Sequence, residues 1–108
     1  MKNERILIVE DENDVNRLLA TILSDYQTTS AFSGTEAKLY LASAKYDLVL
    51  LDLMLPGMTG EEIIDHMRGQ GIKTPVIVIS AKQEVADRVN VLRMGADDFI
   101  MKPFEIDE

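Results

Sequence analysis

In the stretch LVLLDLMLPGMTG, residues 48–60, a charged residue directly follows a sequence typical of a buried strand. Its first four residues are apolar, which is typical of a strand covered on both faces. Asp52 follows at once, and a carboxylate in that place is costly unless it is paired, hydrogen-bonded or bound to a metal. Either Asp52 reaches solvent near the turn that Pro56 and Gly57 mark, or the protein uses it.

This stretch is one of several strand-like runs that alternate with segments of helical periodicity. Five strands are predicted within residues 6–9, 27–32, 48–51, 76–80 and 99–101. Apolar residues spaced by three or four positions predict four helices between them. Because β and α elements alternate and three strands are near-continuous apolar runs, the sequence predicts a parallel sheet with helices on both faces, a doubly wound α/β fold.

Two of the helices carry specific expectations about caps and inner faces. The first helix has Asn13 or Asp14 as its expected N-cap, and the fourth, over residues 84–94, is expected to end at Gly95. The predicted inner faces are Val15, Leu18, Leu19, Ile22 and Leu23 in the first helix, and Val85, Val89 and Leu92 in the fourth.

Length and composition bound the function. The 108 residues predict a single domain, 1–108, with no linker or second domain. A net charge of -8 argues against a surface that holds a nucleic-acid phosphate backbone, although it permits a cation or a basic partner. No apolar run is long enough to span a membrane, and the start MKNER lacks the layout of a signal peptide. The absence of cysteine fits a reducing compartment, so we expect a soluble, cytoplasmic protein.

Polar side chains stand where the predicted strands end. In a doubly wound sheet these ends meet at the edge where ligands bind. The residues concerned are Glu10 and Asp11, Asp52, Ser80 and Lys102. The oxygen ligands of the three acids suit a hard ion such as Mg²⁺, while the ammonium and the hydroxyl suit phosphate oxygens. Together they form a set for phosphoryl transfer, in which Asp52 is the natural nucleophile.

Each residue alone also has an ordinary structural explanation. Asp52 alone is more often a turn residue, and Ser80 alone is more often a helix cap. Lys102 alone is most often a surface charge, and the acids at 10–12 alone are as often a solvated turn as a site. Only their joint placement at four strand ends favours a site.

Four segments of the chain resemble motifs of the receiver domain of bacterial two-component response regulators. They are ILIVEDE at 6–12, LVLLDLMLPGMTG at 48–60, VIVISA at 76–81 and GADDFIMKPF at 95–104. The resemblance implies a flavodoxin-like sheet with strand order 2-1-3-4-5. It also implies that a partner, a sensor histidine kinase, donates a phosphoryl group to Asp52.

The resemblance assigns further roles to individual residues. Asp11, Asp52 and the backbone carbonyl of Met54 would bind Mg²⁺, with Glu10 helping through water. Lys102 would contact the phosphoryl group. Ser80 would be the switch hydroxyl and Phe99 the aromatic that turns inward with it. Ser80 and Phe99 stand where Thr and Tyr are usual, and because Phe99 has no hydroxyl, a switch here would be one of packing.

The resemblance also bears on self-association and output. A fifth helix normally follows the KPF motif, and the sequence ends at Glu108, where that helix would begin. We therefore expect apolar surface around the first and fifth strands to be left uncovered by helices, and to be covered by self-association or by a domain-exchanged dimer. The 97–99 run and Arg88 resemble the branch whose effector is a winged-helix DNA-binding domain, which pairs through the fourth helix and fifth strand. Arg88, Asp98 and Glu108 are its candidate interface residues.

Two other functions compete with the signalling switch. One is a phosphatase with an aspartyl nucleophile, but such haloacid-dehalogenase-like enzymes have a second Asp two residues on, where this chain has Met54. The other is an interaction module that keeps the fold without the chemistry. This interpretation would be favoured if Asp52, Lys102 or an acid were missing, and all are present.

Overall fold

The computed structural model describes residues 3–81 and 85–102, without the side chain of Val85. Strands and helices alternate in the order β1 (Arg5–Val9), α1 (Asn13–Ile22), β2 (Gln27–Ala31), α2 (Gly34–Ser43), β3 (Leu48–Leu51), α3 (Gly60–Gly69), β4 (Val76–Ser80), α4 (Val85–Met94) and β5 (Asp98–Met101). All strand pairs are parallel, and the sheet order is β2-β1-β3-β4-β5. The predicted flavodoxin-like, doubly wound sheet is confirmed. Glu108 and the expected start of a fifth helix lie outside the described residues.

Alternate side chains of the central strands enter two separate cores, because successive residues of a strand point to opposite faces. One face buries Leu7, Val9, Val49, Leu51 and Val78 against residues of α2, α3 and α4. The other buries Ile6, Ile8, Leu50 and Ile79 against Leu19 of α1. On this second face Ile100 of β5, which is the register partner of Ile79, is 41% exposed. Ile100 is therefore exposed on β5, whereas Ile6 and Ile8 of β1 on the same face are buried, so the expectation of uncovered apolar surface at β1 was wrong.

The first helix differs from its prediction in two respects. Its N-cap is Glu12, which makes no side-chain cap bond, and the Glu12 N–H donates to Glu10 Oε2 at 3.1 Å. The expectation of Asn13 or Asp14 was therefore wrong. The buried face is also rotated, since Asn16 and Leu19 are buried while Leu18 and Ile22 are exposed.

The fourth helix ends at Gly95 as predicted, but its inner face was predicted wrongly. Gly95 has φ +124°, a conformation that favours glycine. Val89 and Leu92 are each 41% exposed, and Val91 is the fully buried residue. Apolar residues occupy more than one face of this helix, so spacing alone did not determine which face packs against the sheet.

No helix within residues 3–81 and 85–102 is long and apolar enough to cross a membrane.

Candidate functional site

The carboxyl edge of the sheet brings the predicted polar side chains to one place. Glu10 follows β1, Asp52 follows β3, Ser80 ends β4 and Lys102 follows β5. Backbone hydrogen bonds fix each of these strand ends. The Asp52 N–H donates to Val9 O at 2.9 Å, the Lys102 N–H to Ser80 O at 2.8 Å and the Glu10 N–H to Ala31 O at 3.0 Å.

Three carboxylates form the centre of the site. Glu10, Asp11 and Asp52 each offer one oxygen, and these oxygens all lie within 4.8 Å of one another. Glu10 is 1% and Asp52 5% exposed, whereas Asp11 is exposed. Like charges held this closely repel, so the cluster needs compensating positive charge.

Lys102 supplies part of that charge. Its Nζ lies 2.7 Å from Glu10 Oε1, 3.3 Å from Asp52 Oδ2 and 3.6 Å from Glu12 Oε1. The Lys102 side chain is only 14% exposed. The ammonium therefore bridges the acids of β1 and β3 from the end of β5, where a strongly hydrated point charge retains some contact with water.

The protonation equilibria of Glu10 and Lys102 reflect this arrangement. Burial raises the pKa of Glu10, and the nearby Asp52 charge raises it further, against the opposing effects of Lys102 and the Glu12 N–H. Burial lowers the pKa of Lys102, but its contacts with Glu10 and Asp52 outweigh burial and raise that pKa overall. Lys102 is thus held as a cation.

The turn after β3 orients the second oxygen of Asp52. The Met54 N–H donates to Asp52 Oδ1 at 3.2 Å, and the Met54 side chain is 58% exposed. Gly60, the first residue of α3, packs directly against this turn. A Cβ at Gly60 would lie only 2.5 Å from the Asp52 carbonyl oxygen. A side chain at position 60 would therefore displace the Asp52 backbone.

The residues at this edge fit a hard divalent cation. Their donor atoms are all oxygens, which suits Mg²⁺ rather than a thiolate- or imidazole-seeking metal. Glu10 Oε1 is buried and, among the described residues, has no aligned hydrogen-bond donor, although it is ion-paired with Lys102. A water molecule bound to a metal ion is a suitable hydrogen-bond donor for such an oxygen.

Ser80 and Phe99 lie on the neighbouring strands β4 and β5. Ser80 is fully buried at the carboxyl end of β4. Phe99 is the register partner of Val78, is 9% exposed and belongs to the same core as Val91 and Ala96. In this structure the Phe99 ring is therefore packed inward.

Two of the three candidate interface residues can be described, and both are exposed. Arg88 is exposed on α4. Asp98 is exposed at the start of β5, and its Oδ1 accepts a hydrogen bond from the Phe99 N–H at 2.7 Å. Glu108 lies outside the described residues.

Two polar side chains next to the site, Asn16 and Ser30, were not predicted from the sequence. Asn16 is 2% exposed on α1 and donates from Nδ2 to the Glu10 carbonyl oxygen at 2.9 Å. Ser30 of β2 donates to Asn16 Oδ1 at 2.5 Å. The available signal was a polar residue three positions before Leu19, on the same helical face.

The acidic site lies apart from a cavity at the other edge of the sheet. A cavity of about 640 Å³ is lined by residues that include Tyr46 and Thr74, which precede β3 and β4. It therefore lies at the amino edge of the sheet, opposite the acids. At the acidic site itself, Asp11 and Met54 are exposed.

The fold and the site define a class: doubly wound α/β domains with an acidic centre at the carboxyl edge of a parallel sheet. Residues 6–108 match the family model described as the response regulator receiver domain. The chain therefore belongs to the response regulator receiver domain family.

Similar proteins agree with this assignment. The chain is 43% identical over 106 residues to the transcriptional regulatory protein DltR of Streptococcus agalactiae, covering 96% of this chain and 47% of that protein. It is 42% identical to the regulatory protein AtoC of Escherichia coli, covering 96% of this chain and 23% of that protein. Among solved structures, the receiver domain of Francisella response regulator 1452 superposes with a TM-score of 0.91 at 31% identity, covering 95% of this chain and 87% of that one.

The activated N-terminal receiver domain of Klebsiella pneumoniae RstA gives a TM-score of 0.87 at 34% identity, with 94% and 87% of the two chains covered. The chain spans about half the length of the first curated relatives that it matches. Receiver domains of response regulators act in phosphorylation-dependent signalling together with sensor kinases, and they are not metabolic enzymes.

Proposed function

We propose that this chain is a phosphorylation-activated switch in which Asp52 accepts a phosphoryl group from a histidine of a sensor kinase. The observation that carries the proposal is the environment of Asp52. Its carboxylate is 5% exposed at a strand end, 3.3 Å from the Lys102 ammonium and grouped with Glu10 and Asp11.

The transfer has a simple balance of bonds. The phosphorus–nitrogen bond of the phosphohistidine breaks as a bond forms between phosphorus and an Asp52 oxygen, giving an acyl phosphate. The nitrogen keeps the electron pair of the broken bond. Lys102 stabilises negative charge on the phosphoryl oxygens, since its Nζ already lies beside Asp52 Oδ2. Later hydrolysis of the acyl phosphate returns the carboxylate.

Glu10, Asp11, Asp52 and the Met54 carbonyl are the proposed holders of Mg²⁺. The ion supplies positive charge that offsets the negative charge of the carboxylates and the phosphoryl group. The chain contributes the positions of the ligands: Asp11 is exposed to solvent, and Glu10 and Asp52 are held by their strands.

The proposed switch lies in the packing of Ser80 and Phe99. A hydroxyl at the end of β4 can donate to a phosphoryl oxygen, and its movement would open or close space beside β5. Because Phe99 is packed in the core and has no hydroxyl, its response is a change of packing rather than of hydrogen bonding.

The proposed output is control of dimerisation and of a DNA-binding effector in the parent regulator. The support is that the relatives are named transcriptional regulators. Arg88, Asp98 and Glu108 are the proposed interface residues, by resemblance to the winged-helix branch. A cytoplasmic location fits this role, and the net charge of -8 favours protein partners over direct DNA binding by this segment.

Intact-mass spectrometry after incubation with acetyl phosphate and Mg²⁺ tests the proposal. We expect the wild type to gain the mass of one phosphoryl group and Asp52→Ala to gain none. Asp65→Asn, which removes an exposed carboxylate on α3, is the matched control and should label like the wild type. Equal labelling of Asp52→Ala and wild type would refute the assignment of Asp52.

A further inference from the structure

Two consecutive hydrogen bonds connect strand β2, through Asn16 of α1, to the loop after β1 that carries Glu10 and Asp11. The proposed phosphoryl chemistry does not use Asn16. Asn16 Nδ2 donates to the Glu10 carbonyl oxygen at 2.9 Å, and Asn16 Oδ1 accepts from the Ser30 hydroxyl at 2.5 Å. Asn16 is 2% exposed. A buried amide has a high cost unless its donor and acceptor are both used, and here both have partners.

The two hydrogen bonds fix the orientation of the Asn16 amide. The Glu10 carbonyl oxygen can only accept a hydrogen bond, so the NH₂ group of Asn16 faces it. An Asn that was flipped would place its oxygen against this carbonyl oxygen, and the two acceptors would repel. Glu10 therefore selects the amide orientation, and the Ser30 hydroxyl, which can donate or accept, donates to Asn16 Oδ1 and holds the side chain in place.

The backbone and the side chain of Glu10 are both held by hydrogen bonds and an ion pair. Its N–H donates to Ala31 O of β2 at 3.0 Å, and its carbonyl oxygen accepts from Asn16 of α1. Its side chain accepts from the Glu12 N–H at 3.1 Å and pairs with Lys102 at 2.7 Å. The peptide between Glu10 and Asp11 thus has its carbonyl anchored by Asn16, and the plane of that peptide sets where the Asp11 Cα lies.

We propose that Asn16, held in place by its hydrogen bond from Ser30, is a positioning residue for the metal site: it fixes the Glu10–Asp11 peptide and so holds both carboxylates in the geometry that binds Mg²⁺. Asn16 touches neither the ion nor the phosphoryl group and acts through the backbone. The inference rests on the proposed function for its relevance to phosphoryl transfer, but its effect on Mg²⁺ binding stands independently.

Calorimetric titration with MgCl₂ tests the inference without any phosphoryl donor. Asn16→Leu keeps the branched shape of the side chain and removes both hydrogen bonds. We expect its Mg²⁺ affinity to fall about 10-fold or more, the usual effect of losing a group that orients metal ligands. Ser30→Ala keeps Asn16 but removes the hydrogen bond to its Oδ1, so Asn16 is held less firmly and we expect a smaller loss in the same direction, at least about threefold.

A combined variant distinguishes positioning from independent effects. If Ser30 acts through Asn16, Ser30→Ala should reduce affinity no further when it is added to Asn16→Leu. Full additivity of the two losses would overturn the proposed chain of action.

A stability control separates positioning from general loosening of the fold. Thr74→Val removes a hydrogen bond from Thr74 Oγ1 to Tyr46 O, 3.1 Å long, at the opposite edge of the sheet. It should leave Mg²⁺ affinity within about twofold of wild type. If Thr74→Val weakens Mg²⁺ binding as much as Asn16→Leu does, or if Asn16→Leu binds like wild type, the proposal is wrong. Should Asn16→Leu not fold, Ser30→Ala decides alone, and wild-type affinity in that variant overturns the inference.

Phosphorylation kinetics provide a second readout. With acetyl phosphate as donor, Asn16→Leu should raise the Mg²⁺ concentration for half-maximal labelling by about the same factor as the calorimetric loss, with a smaller change in the rate at saturating Mg²⁺. A wild type that binds Mg²⁺ but shows no labelling contradicts the proposed function and leaves the calorimetric comparison intact.

Discussion

At the scale of single residues, the site consists of charges that the sheet brings together and Lys102 partly neutralises. The acids could be predicted from the sequence, because a carboxylate after an apolar run is visible without a structure. Asn16 could not, since its neighbours Val15 and Leu18 gave the helix a plausible apolar face that excluded it. Which polar residue of a helix turns inward depends on partners such as Ser30, which are distant in sequence.

Removing the positive charge of Lys102 should destabilise the protein in the absence of a divalent ion. Lys102→Gln leaves Glu10 and Asp52 without the ammonium that lies 2.7 and 3.3 Å from them. Breaking such a pair should cost about 2–3 kcal/mol, less than for a fully buried one because the side chain retains contact with water. Thermal unfolding in EDTA should therefore give a lower Tm than wild type.

Mg²⁺ should restore more stability to Lys102→Gln than to the wild type, because the ion then provides charge that the lysine no longer supplies. The exposed Lys45 offers a matched control, Lys45→Gln, for which Tm should change little in either condition. An equal Mg²⁺-induced rise in Tm for wild type and Lys102→Gln would argue against Lys102 as the compensating charge.

At the scale of elements, Arg68 of α3 connects the loops that enter β4 and β5. Its guanidinium donates to the Gly95 carbonyl oxygen at 2.7 and 3.2 Å, to Ile72 O at 2.7 Å and to Thr74 O at 3.0 Å. The element boundaries around it were predictable from Gly95 and from the apolar runs. The face of α4 that packs against the sheet was not predictable, because Val91, which is buried, and Val89, which was predicted to be buried, are equally apolar.

Gly95→Ala should be strongly destabilising for two physical reasons. The backbone has φ +124°, and an added Cβ would lie 2.8 Å from Arg68 Nε. The backbone strain alone costs about 1–3 kcal/mol, and displacement of the guanidinium adds the loss of its hydrogen bonds. Urea denaturation monitored by circular dichroism measures the change.

Gly69→Ala is the matched control, because nothing lies within 4 Å of a Cβ at that residue, which ends α3. Alanine there should be neutral or stabilising by up to about 1 kcal/mol. If Gly95→Ala were as well tolerated as Gly69→Ala, the close approach of Arg68 would not constrain the turn.

At the scale of the whole molecule, the topology follows from the order of elements. Right-handed crossovers place α1 on one face of the parallel sheet and α2, α3 and α4 on the other. That rule also brings the strand ends to one edge, which is why the site could be predicted before its distances were known. The exposure of individual helix side chains could not be predicted from the sequence, since it depends on how each helix is rotated. Leu18 and Ile22 on α1, and Val89 and Leu92 on α4, were expected inside and are exposed.

The exposed apolar side chains of α4 and β5 make self-association through the fourth helix and fifth strand testable. Val89, Leu92, Ile100 and Met101 are each 41–44% exposed. Sedimentation velocity over a concentration series, with and without acetyl phosphate and Mg²⁺, should show a weight-average sedimentation coefficient that rises with concentration. The double variant Val89→Ser/Leu92→Ser should weaken association at least about tenfold, because each truncated contact at an interface centre contributes about 1 kcal/mol.

Leu39 provides the control for general surface hydrophobicity, because it is 67% exposed on α2, an element outside the proposed face. Leu39→Ser should associate like the wild type. A wild type that stays monomeric at every concentration, phosphorylated or not, contradicts self-association through any surface. Equal weakening by Leu39→Ser and by the α4 double variant would show that the contact is nonspecific, since a symmetric pairing buries one patch and leaves α2 in water.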